Sequence, residues 1–216
     1  FAGSRFDGGE GGVNIHAYFR GQFGLGEAAR LYAQALIDHG YPVALSDMEL
    51  QLPHGLNDRS LESRLGKGMP YGIHLVCVNP DYLDAALARI QQGDDRNPYV
   101  IGCWFWELET IPEEWRDAVD KVDEILVASS FVEKAFRAFT DKPIHRVPLP
   151  LGELRDSGLS RRDFDLPEEG FVFLTSFDFN SGLDRKNPLA VIEAFKLAFP
   201  VDRQDVTLLV KSSNGH

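Results

Sequence analysis

A glycine-rich stretch near the start of the sequence has the composition of an anion-binding loop. It reads "YFRGQFGLGEAAR" at residues 18–30 and places Gly24, Leu25 and Gly26 directly before a run of helix-forming residues. Glycine lets a ligand approach the backbone closely, and a helix N-terminus offers N–H groups that the helix itself does not use. The alternative interpretation is a tight turn that packs the helix on the sheet. The sequence leaves both open.

A second stretch of the sequence is basic. In "FDFNSGLDRKNPLAVIEAF", Arg185 and Lys186 come directly before a helix that we expect to begin at about Pro188, and Lys211 ends the strand that follows. A guanidinium fork, ammonium point charges and helix N–H groups in one place suit a diphosphate. The alternative is a solvated basic turn.

A third stretch combines aromatic rings with carboxylates. It reads "CWFWELETIPEEW" at residues 103–115. Because strand residues alternate between faces, Trp104 and Trp106 should point one way and Phe105 the other. Glu107 follows at the carboxyl end of the strand. A ring face beside a carboxylate suits sugar recognition, whereas the alternative places the tryptophans in the core.

The chain alternates strand-like and helix-like segments from residue 13 onward. This rhythm predicts an α/β protein with a Rossmann-like, doubly wound parallel sheet and helices on both faces. The predicted strands are 13–19, 41–47, 72–78, 98–106, 124–129, 143–150, 171–179 and 206–213.

The helix after the fifth strand begins in "SSFVEKAF". We predict that Ser130 is its N-cap and that Glu133, three residues on, completes a capping box. Ser129 and Ser130 then lie at the carboxyl end of the fifth strand.

Composition shifts along the chain predict its domain boundaries. Residues 1–12 should form a flexible leader, 13–150 a Rossmann-like domain, 151–170 a linker and 171–216 the start of a second domain. Two strands and a helix cannot bury both faces of a sheet, so we expect the second domain to be incomplete in this sequence.

Bulk properties exclude several classes of protein. A net charge of −11 over 216 residues argues against a nucleic-acid surface, which needs clustered cations. No apolar run approaches the ~18 residues of a membrane span. Cys77 and Cys103 lie in apolar runs without metal-ligand spacing, so we expect buried, reduced thiols and a cytoplasmic location.

Other functions remain as alternatives at this point. The glycine order, Gly21-x-x-Gly24-x-Gly26, is the reverse of the dinucleotide fingerprint, although Asp47 lies near the position of a ribose-binding acid. An NAD-dependent oxidoreductase is therefore one alternative. A non-catalytic carbohydrate-binding module is another.

Taken in order, the segments resemble family 4 glycosyltransferases of the GT-B fold, in particular bacterial polysaccharide mannosyltransferases. The similar stretches cover nearly the whole chain after residue 12. They are "GQFGLGEAAR", "WFWELETIPEEW", "VDEILVASSFVEKAF", "VPLPL" and "DRKNPLAVIEAFKLAFP…LLVKSSN".

The resemblance implies two Rossmann domains with an active site between them. It implies a nucleoside-diphosphate sugar as donor substrate, no cofactor and no obligatory metal, and hexose transfer with retention at the anomeric carbon. The acceptor would be a glycan or a lipid-linked sugar, and the enzyme would work in the cytoplasm or peripherally at the inner face of the membrane.

The resemblance also implies roles for particular residues. Lys186 would neutralise the leaving diphosphate with Arg185 beside it, and Glu107 would lie near the transferred sugar or the acceptor hydroxyl. The segment Gly24–Gly26 would approach the donor diphosphate or the acceptor. Binding residues of the cleft would further include Trp106, Ser129, Ser130 and Lys211.

The sequence departs from the family pattern in three places. Asn180 stands where the family often has an arginine, and "WFWELE" replaces a loop that often carries a histidine. The family's paired glutamates, which bind the donor, would lie beyond residue 216. We therefore expect an acceptor-side domain with the first part of a donor domain, unable by itself to bind donor well.

Overall fold

The chain divides into two compact units. The first comprises Phe1–Gly152 and the second Glu153–His216, and we call them unit 1 and unit 2. Most of the predicted leader lies outside the described residues. The computed structural model describes residues 11–49, 54–66, 68–92, 98–152 and 156–215.

Unit 1 is built on a six-stranded sheet in which every neighbouring pair of strands is parallel. The strand order is β2-β1-β3-β4-β5-β6. The sequence rhythm predicted this α/β class, and the structure confirms it. The strands are β1 (Val13–Ala17), β2 (Val43–Asp47), β3 (Ile73–Cys77), β4 (Tyr99–Cys103), β5 (Glu124–Val127) and β6 (Ile144–Arg146).

Helices connect these strands and cover both faces of the sheet. At the end of the longest helix, the Tyr41 N–H donates to the Leu36 carbonyl and the Gly40 N–H donates to the Ile37 carbonyl. Gly40 has a φ of 75°. This is a Schellman motif, and glycine adopts its left-handed conformation without a Cβ clash. The helices of unit 1 are α1 (Gly24–Asp38), α2 (Leu83–Gln91), α3 (Arg116–Asp120) and α4 (Ser130–Arg137).

Two apolar clusters lie on opposite faces of the sheet. On one face, Ile15, Ala17 and Cys77 pack against α1. On the other face, Val76, Val100 and other strand residues pack against α2, α3 and α4. Buried strands in a parallel sheet read as continuous apolar runs because both faces are covered, which is why the sequence revealed them.

One predicted cap is wrong by a residue. Ser129, not Ser130, is the N-cap of α4, and its hydroxyl accepts from the Val132 N–H at 3.3 Å. Glu133 does not complete the predicted capping box, because its carboxylate instead accepts from Arg137 at 2.8 Å. Two adjacent serines are equivalent in sequence, and only the backbone conformation decides which one caps.

Unit 2 contains a parallel pair of strands with helices that follow the first strand. In its odd-numbered positions β7 presents Phe171 and Phe173, and Phe173 packs against Phe195 and Phe199. The elements are β7 (Phe171–Asp178), β8 (Val206–Ser213), the one-turn α5 (Leu183–Lys186) and α6 (Pro188–Ala198).

The apolar residues of unit 2 are largely exposed. Leu174, Leu189 and Leu197 are 66%, 65% and 88% exposed. Among the described residues of this unit, Pro188 alone is buried. A helix that is apolar on most sides, as α6 is, normally lies in a core.

The segment predicted as a linker has local structure of its own. Its described part contains a turn of 3₁₀ helix, Arg161–Phe164, with a true capping box between Ser160 and Asp163. The Arg161 guanidinium donates to the Gly170 carbonyl at 2.9 Å, which ties this turn to the start of β7. Within the described residues no helix is long and apolar enough to cross a membrane.

Candidate functional site

The glycine loop lies at the topological switch point of the unit 1 sheet. From β1 the chain runs through α1 to β2 on one side, and β3 pairs with β1 on the other side. Open α/β sheets bind ligands outside the carboxyl ends of the strands at such a point. The loop that follows Ala17 is therefore in the position expected of a ligand site.

The backbone of this loop is already hydrogen-bonded within the protein. Gly21 N–H donates to Tyr18 O at 2.9 Å, and Gln22 N–H donates to Gly55 O at 2.8 Å. Asp58 N–H donates to Arg20 O at 3.1 Å. These N–H groups of the loop are not available as an anion cradle, so the geometry favours the tight-turn interpretation for this part of the loop.

A buried arginine holds the loop from the inside. Arg30, on α1, is 8% exposed, and its Nη1 donates at 2.8 Å to both Phe19 O and Gly21 O. Its Nε and Nη2 bind the Glu27 carboxylate at 3.1 and 2.8 Å. The guanidinium is fully used in fixing the loop and offers no charge to a ligand.

The three predicted residues at the start of α1 differ in their surroundings. A Cβ atom on Gly26 would lie 2.5 Å from Gly21 O and 2.7 Å from Tyr18 O, so only glycine fits. Gly24 is exposed and has open space at its Cβ position. Leu25 packs against the apolar cluster under α2–α4. Gly26 therefore packs the helix on the loop, and Gly24 is the accessible glycine.

Asp47 is not available to a ribose. Its carboxylate accepts from the Arg20 N–H at 3.1 Å and from the Arg20 guanidinium at 3.0 Å. The same guanidinium binds Glu62 in a bidentate pair at 2.9 and 2.7 Å, and this hydrogen bond lowers the pKa of the Glu62 carboxyl. This cluster of Arg20, Asp47 and Glu62 counts against the dinucleotide alternative.

A cleft of about 240 Å³ opens beside this cluster. Its charged lining residues are the paired Arg20 and Asp47 together with Glu49. Because Arg20 is already neutralised, the described lining leaves no cation for a diphosphate. The Glu49 carboxylate can accept hydrogen bonds from hydroxyl groups, so this cleft suits a neutral, polyhydroxylated ligand better. The other lining residues are Tyr18, Gly21, Met48 and Leu56.

The aromatic run after β4 is mainly structural. Trp104 is fully buried, and Gly102 leaves room for its indole, which lies 2.6 Å from a Cβ placed there. Trp106 is half-buried, packs edge-on against Trp115 at 4.6 Å and donates from Nε1 to Thr110 O at 2.8 Å. Trp106 therefore holds the loop that carries Glu107.

The loop after β4 carries an exposed glutamate. Glu107 is exposed, as are Leu108 and Glu109 beside it. The Phe105 N–H donates to Asn79 Oδ1 at 3.2 Å, which joins this loop to the one after β3. The position fits a residue that contacts a substrate at the sheet edge.

The two predicted serines lie at the next strand of the same edge. Ser129 and Ser130 are both exposed directly after β5. The Ser129 hydroxyl caps α4, so Ser130 is the hydroxyl that a ligand would meet first.

In unit 2 the structure brings two predicted lysines to one cleft. Lys186, at the end of α5, and Lys211, on β8, both line a cleft of about 270 Å³ at the carboxyl ends of β7 and β8. Lys211 pairs in register with Ser176 on β7. The lining is otherwise mainly hydroxyl groups. The remaining lining residues are Phe177, Asp178, Ser181, Ser212 and Ser213.

The charges of this cleft favour an anion. Neither lysine ammonium hydrogen-bonds or ion-pairs with another described residue. The one carboxylate, that of Asp178, accepts from Asn214 Nδ2 at 3.0 Å and from the Asn180 N–H at 2.8 Å. The Arg185 guanidinium donates to the Ser181 carbonyl at 3.2 Å instead of lining the cleft.

Sequence reasoning identified the lysines but missed two polar clusters. Neither the pairing of Asp178 with Asn214 nor that of Arg20 with Asp47 and Glu62 was predicted. Asp47 and Asp178 each end a strand, and this position could have indicated that their carboxylates lie at the ligand-binding edge of a sheet. Their partners lie far along the chain, and spacing does not reveal them.

Comparisons with known proteins give no identification. No protein-family model matches the chain, and no curated protein matches it significantly. Among the described residues, no group of three or more His, Cys, Asp or Glu side chains is placed to hold a metal ion.

Proposed function

We propose that this chain is part of a retaining glycosyltransferase. It would transfer a hexose, with mannose favoured, from a nucleoside-diphosphate sugar to a glycan or lipid-linked acceptor in surface polysaccharide synthesis. One observation carries the proposal: Lys186 and Lys211 line a single cleft at the carboxyl ends of parallel strands.

The chemistry of glycosyl transfer makes this lysine pair useful. When the bond between the anomeric carbon and the diphosphate breaks, negative charge develops on the departing phosphate oxygen. Preorganised cations stabilise that charge more in the transition state than in the ground state. Two ammonium groups without a carboxylate partner among the described residues can supply this stabilisation without a metal.

Unit 1 supplies a complementary surface for the acceptor in this proposal. Its cleft is lined by Glu49 and lacks a spare cation, and the loop after β4 carries the exposed Glu107. Carboxylates accept hydrogen bonds from sugar hydroxyl groups. We assign the donor diphosphate to unit 2 and the acceptor sugar to unit 1.

The exposed apolar side chains of unit 2 support a donor-binding domain that is larger than the described elements. Leu174 on β7 and Leu197 on α6 suit burial under further strands and helices of that domain. The proposed location is the cytoplasm, peripherally at the inner face of the membrane when the acceptor is lipid-linked.

Titration with pyrophosphate, GDP and GDP-mannose tests the proposal. We expect all three to shift the amide NMR signals of residues 176–186 and 211–213. Lys186→Ala and Lys211→Ala should each weaken pyrophosphate binding by roughly 10- to 100-fold, since a charge-assisted hydrogen bond contributes roughly 1.5–3 kcal/mol. We expect no hexose transfer by the chain alone on incubation with GDP-mannose and a lipid-linked acceptor, because its donor domain is expected to be incomplete in this sequence.

A matched lysine in the same unit serves as control. Lys196 pairs with Glu193 on α6 at 3.0 Å, so Lys196→Ala should leave pyrophosphate binding unchanged. Equal weakening by all three substitutions would indicate non-specific charge attraction and contradict the assigned cleft. Pyrophosphate binding without any GDP-mannose response would contradict the sugar-nucleotide assignment.

A further inference from the structure

The two cysteines of the chain are neighbours across adjacent strands. Cys77 ends β3 and Cys103 ends β4. The parallel register pairs Val76 with Gly102, so the cysteines occupy the next position along both strands. Both belong to the apolar cluster covered by α1, and therefore they point to the same face of the sheet.

The spacing of parallel strands suits a covalent bond between these residues. Neighbouring strands lie about 4.8 Å apart. Disulfide-linked residues have Cα atoms roughly 4.4–6.8 Å apart, so neither backbone needs to move far for a bond to form. The sequence contains two cysteines in total, so any intrachain disulfide is this one.

The thiols already interact in the reduced protein. The neighbouring Cys77 thiol, together with burial, raises the pKa of Cys103 well above its ordinary value. Cys77 and Cys103 are 2% and 1% exposed. The pair is protected from bulky reagents, and only a small oxidant can react without extensive unfolding.

We propose that Cys77 and Cys103 form a modification site, a buried dithiol that a small peroxide converts reversibly into a disulfide between β3 and β4. In the first step one thiol gives up its proton and its sulfur attacks a peroxide oxygen; an S–O bond forms, the O–O bond breaks, and the departing hydroxide takes up the proton as water. The second thiol then gives up its proton and attacks that sulfur; the S–S bond forms, and the departing hydroxide again takes up the proton as water. The two sulfurs lose two electrons, and hydrogen peroxide is reduced to two molecules of water.

The position of the pair gives the disulfide a structural consequence. Cys77 lies two residues before Asn79, and Cys103 lies two residues before Phe105, whose N–H donates to Asn79. A bond between the strands at this edge would fix the distance between the two loops that follow them. The inference does not depend on the proposed glycosyl transfer.

Peroxide oxidation of the folded chain tests this inference. The reduced protein is treated with dilute hydrogen peroxide, blocked with N-ethylmaleimide in denaturant and examined by intact mass spectrometry. We expect a monomer that has lost two hydrogen atoms, takes up no maleimide and regains both thiols with dithiothreitol. Its circular dichroism should remain that of the reduced protein.

Single substitutions separate this reaction from unspecific oxidation. Cys77→Ala and Cys103→Ala should each abolish the loss of two hydrogen atoms and leave one thiol that reacts with maleimide. The unsubstituted chain oxidised in concentrated urea provides a reference that does not require either variant to fold. Formation of intermolecular dimers or of sulfinic acid in place of the disulfide, or oxidation in urea but not in the folded state, would overturn the proposal.

Discussion

His16 is a titratable group in the interior of unit 1 that the proposed site does not use. Asn14 Nδ2 lies 3.3 Å from His74 Nε2, and His74 Nδ1 lies 2.9 Å from His16 Nε2. Because the amide nitrogen is a donor, the protons of this chain point from Asn14 through His74 to His16. His16 Nδ1 then has no partner among the described residues.

This arrangement predicts a loss of stability in acid. Burial, then the neighbouring His74 and Arg89, lower the pKa of His16 from 6.5 to about 3. The unfolded chain therefore binds a proton below pH 6.5 that the folded chain binds only near pH 3. The free energy of unfolding should therefore fall by about 1.4 kcal/mol for each unit by which the pH is lowered within that window. Urea unfolding between pH 7 and 5, followed by tryptophan fluorescence, measures it.

A substitution without a titrating ring checks the cause. His16→Gln keeps an acceptor for the His74 N–H but cannot take up a proton, so its stability should depend less steeply on pH. Identical slopes for His16→Gln and the unsubstituted chain would exclude His16 as the source.

Some side chains were predictable one at a time, and others were not. The alternation of Trp104 and Trp106 against Phe105 followed from strand geometry, and the structure confirms it, since the first two pack on one cluster and the third on the other. The cap at Ser129 depended on a single backbone conformation. The salt bridge of Arg20 with Asp47 joins residues that only the folded sheet brings together.

At the scale of elements, the packing of the glycine loop against α1 requires glycine at position 26 but not at position 24. The Cβ of alanine at position 26 would collide with two backbone carbonyls: that of Gly21, which accepts from Arg30, and that of Tyr18, which accepts from the Gly21 N–H. At position 24 the same Cβ would meet nothing within 4 Å. The two substitutions should therefore have opposite effects.

Gly26→Ala should destabilise unit 1 by about 1–3 kcal/mol, as overpacking does. Gly24→Ala should stabilise it by up to about 1 kcal/mol, because alanine has the higher helix propensity. Urea denaturation followed by fluorescence compares them, since all three tryptophans lie in unit 1. Similar effects of the two substitutions would mean that the loop relaxes away from the added methyl group.

The order and type of the main elements could be read from the sequence, whereas their ends could not. The continuous apolar run of β3 and the helical periodicity of α1 predict these two elements clearly, and the structure contains both. The segment "IPEEWRDAVDKV" after β4 has a helical pattern, but it forms a 3₁₀ turn, Glu113–Trp115, followed by the short α3. Trp115 fixes that junction by donating to Asp81 at 3.2 Å, a contact between distant residues.

At the scale of the whole molecule, the two units differ in what stabilises them. Buried apolar side chains of unit 1 form two clusters on a six-stranded sheet. In unit 2, Pro188 alone is buried among the described residues, and two strands carry the sheet. Since apolar burial is the main favourable contribution to folding, the free energy of opening should be much lower in unit 2.

Hydrogen exchange of the intact chain tests this difference. Amides of β1, β3 and β4 should exchange at least about tenfold more slowly than hydrogen-bonded amides of β7 and β8, because local opening follows local burial. Saturating pyrophosphate should slow exchange in unit 2 while leaving unit 1 unchanged, since a ligand stabilises the state that binds it. Equal protection of the strands of both units would show that unit 2 is stabilised by more than the contacts described within it. Slowing of exchange in β1 by pyrophosphate would place the phosphate at the glycine loop, and the assignment of Lys186 and Lys211 would then be wrong.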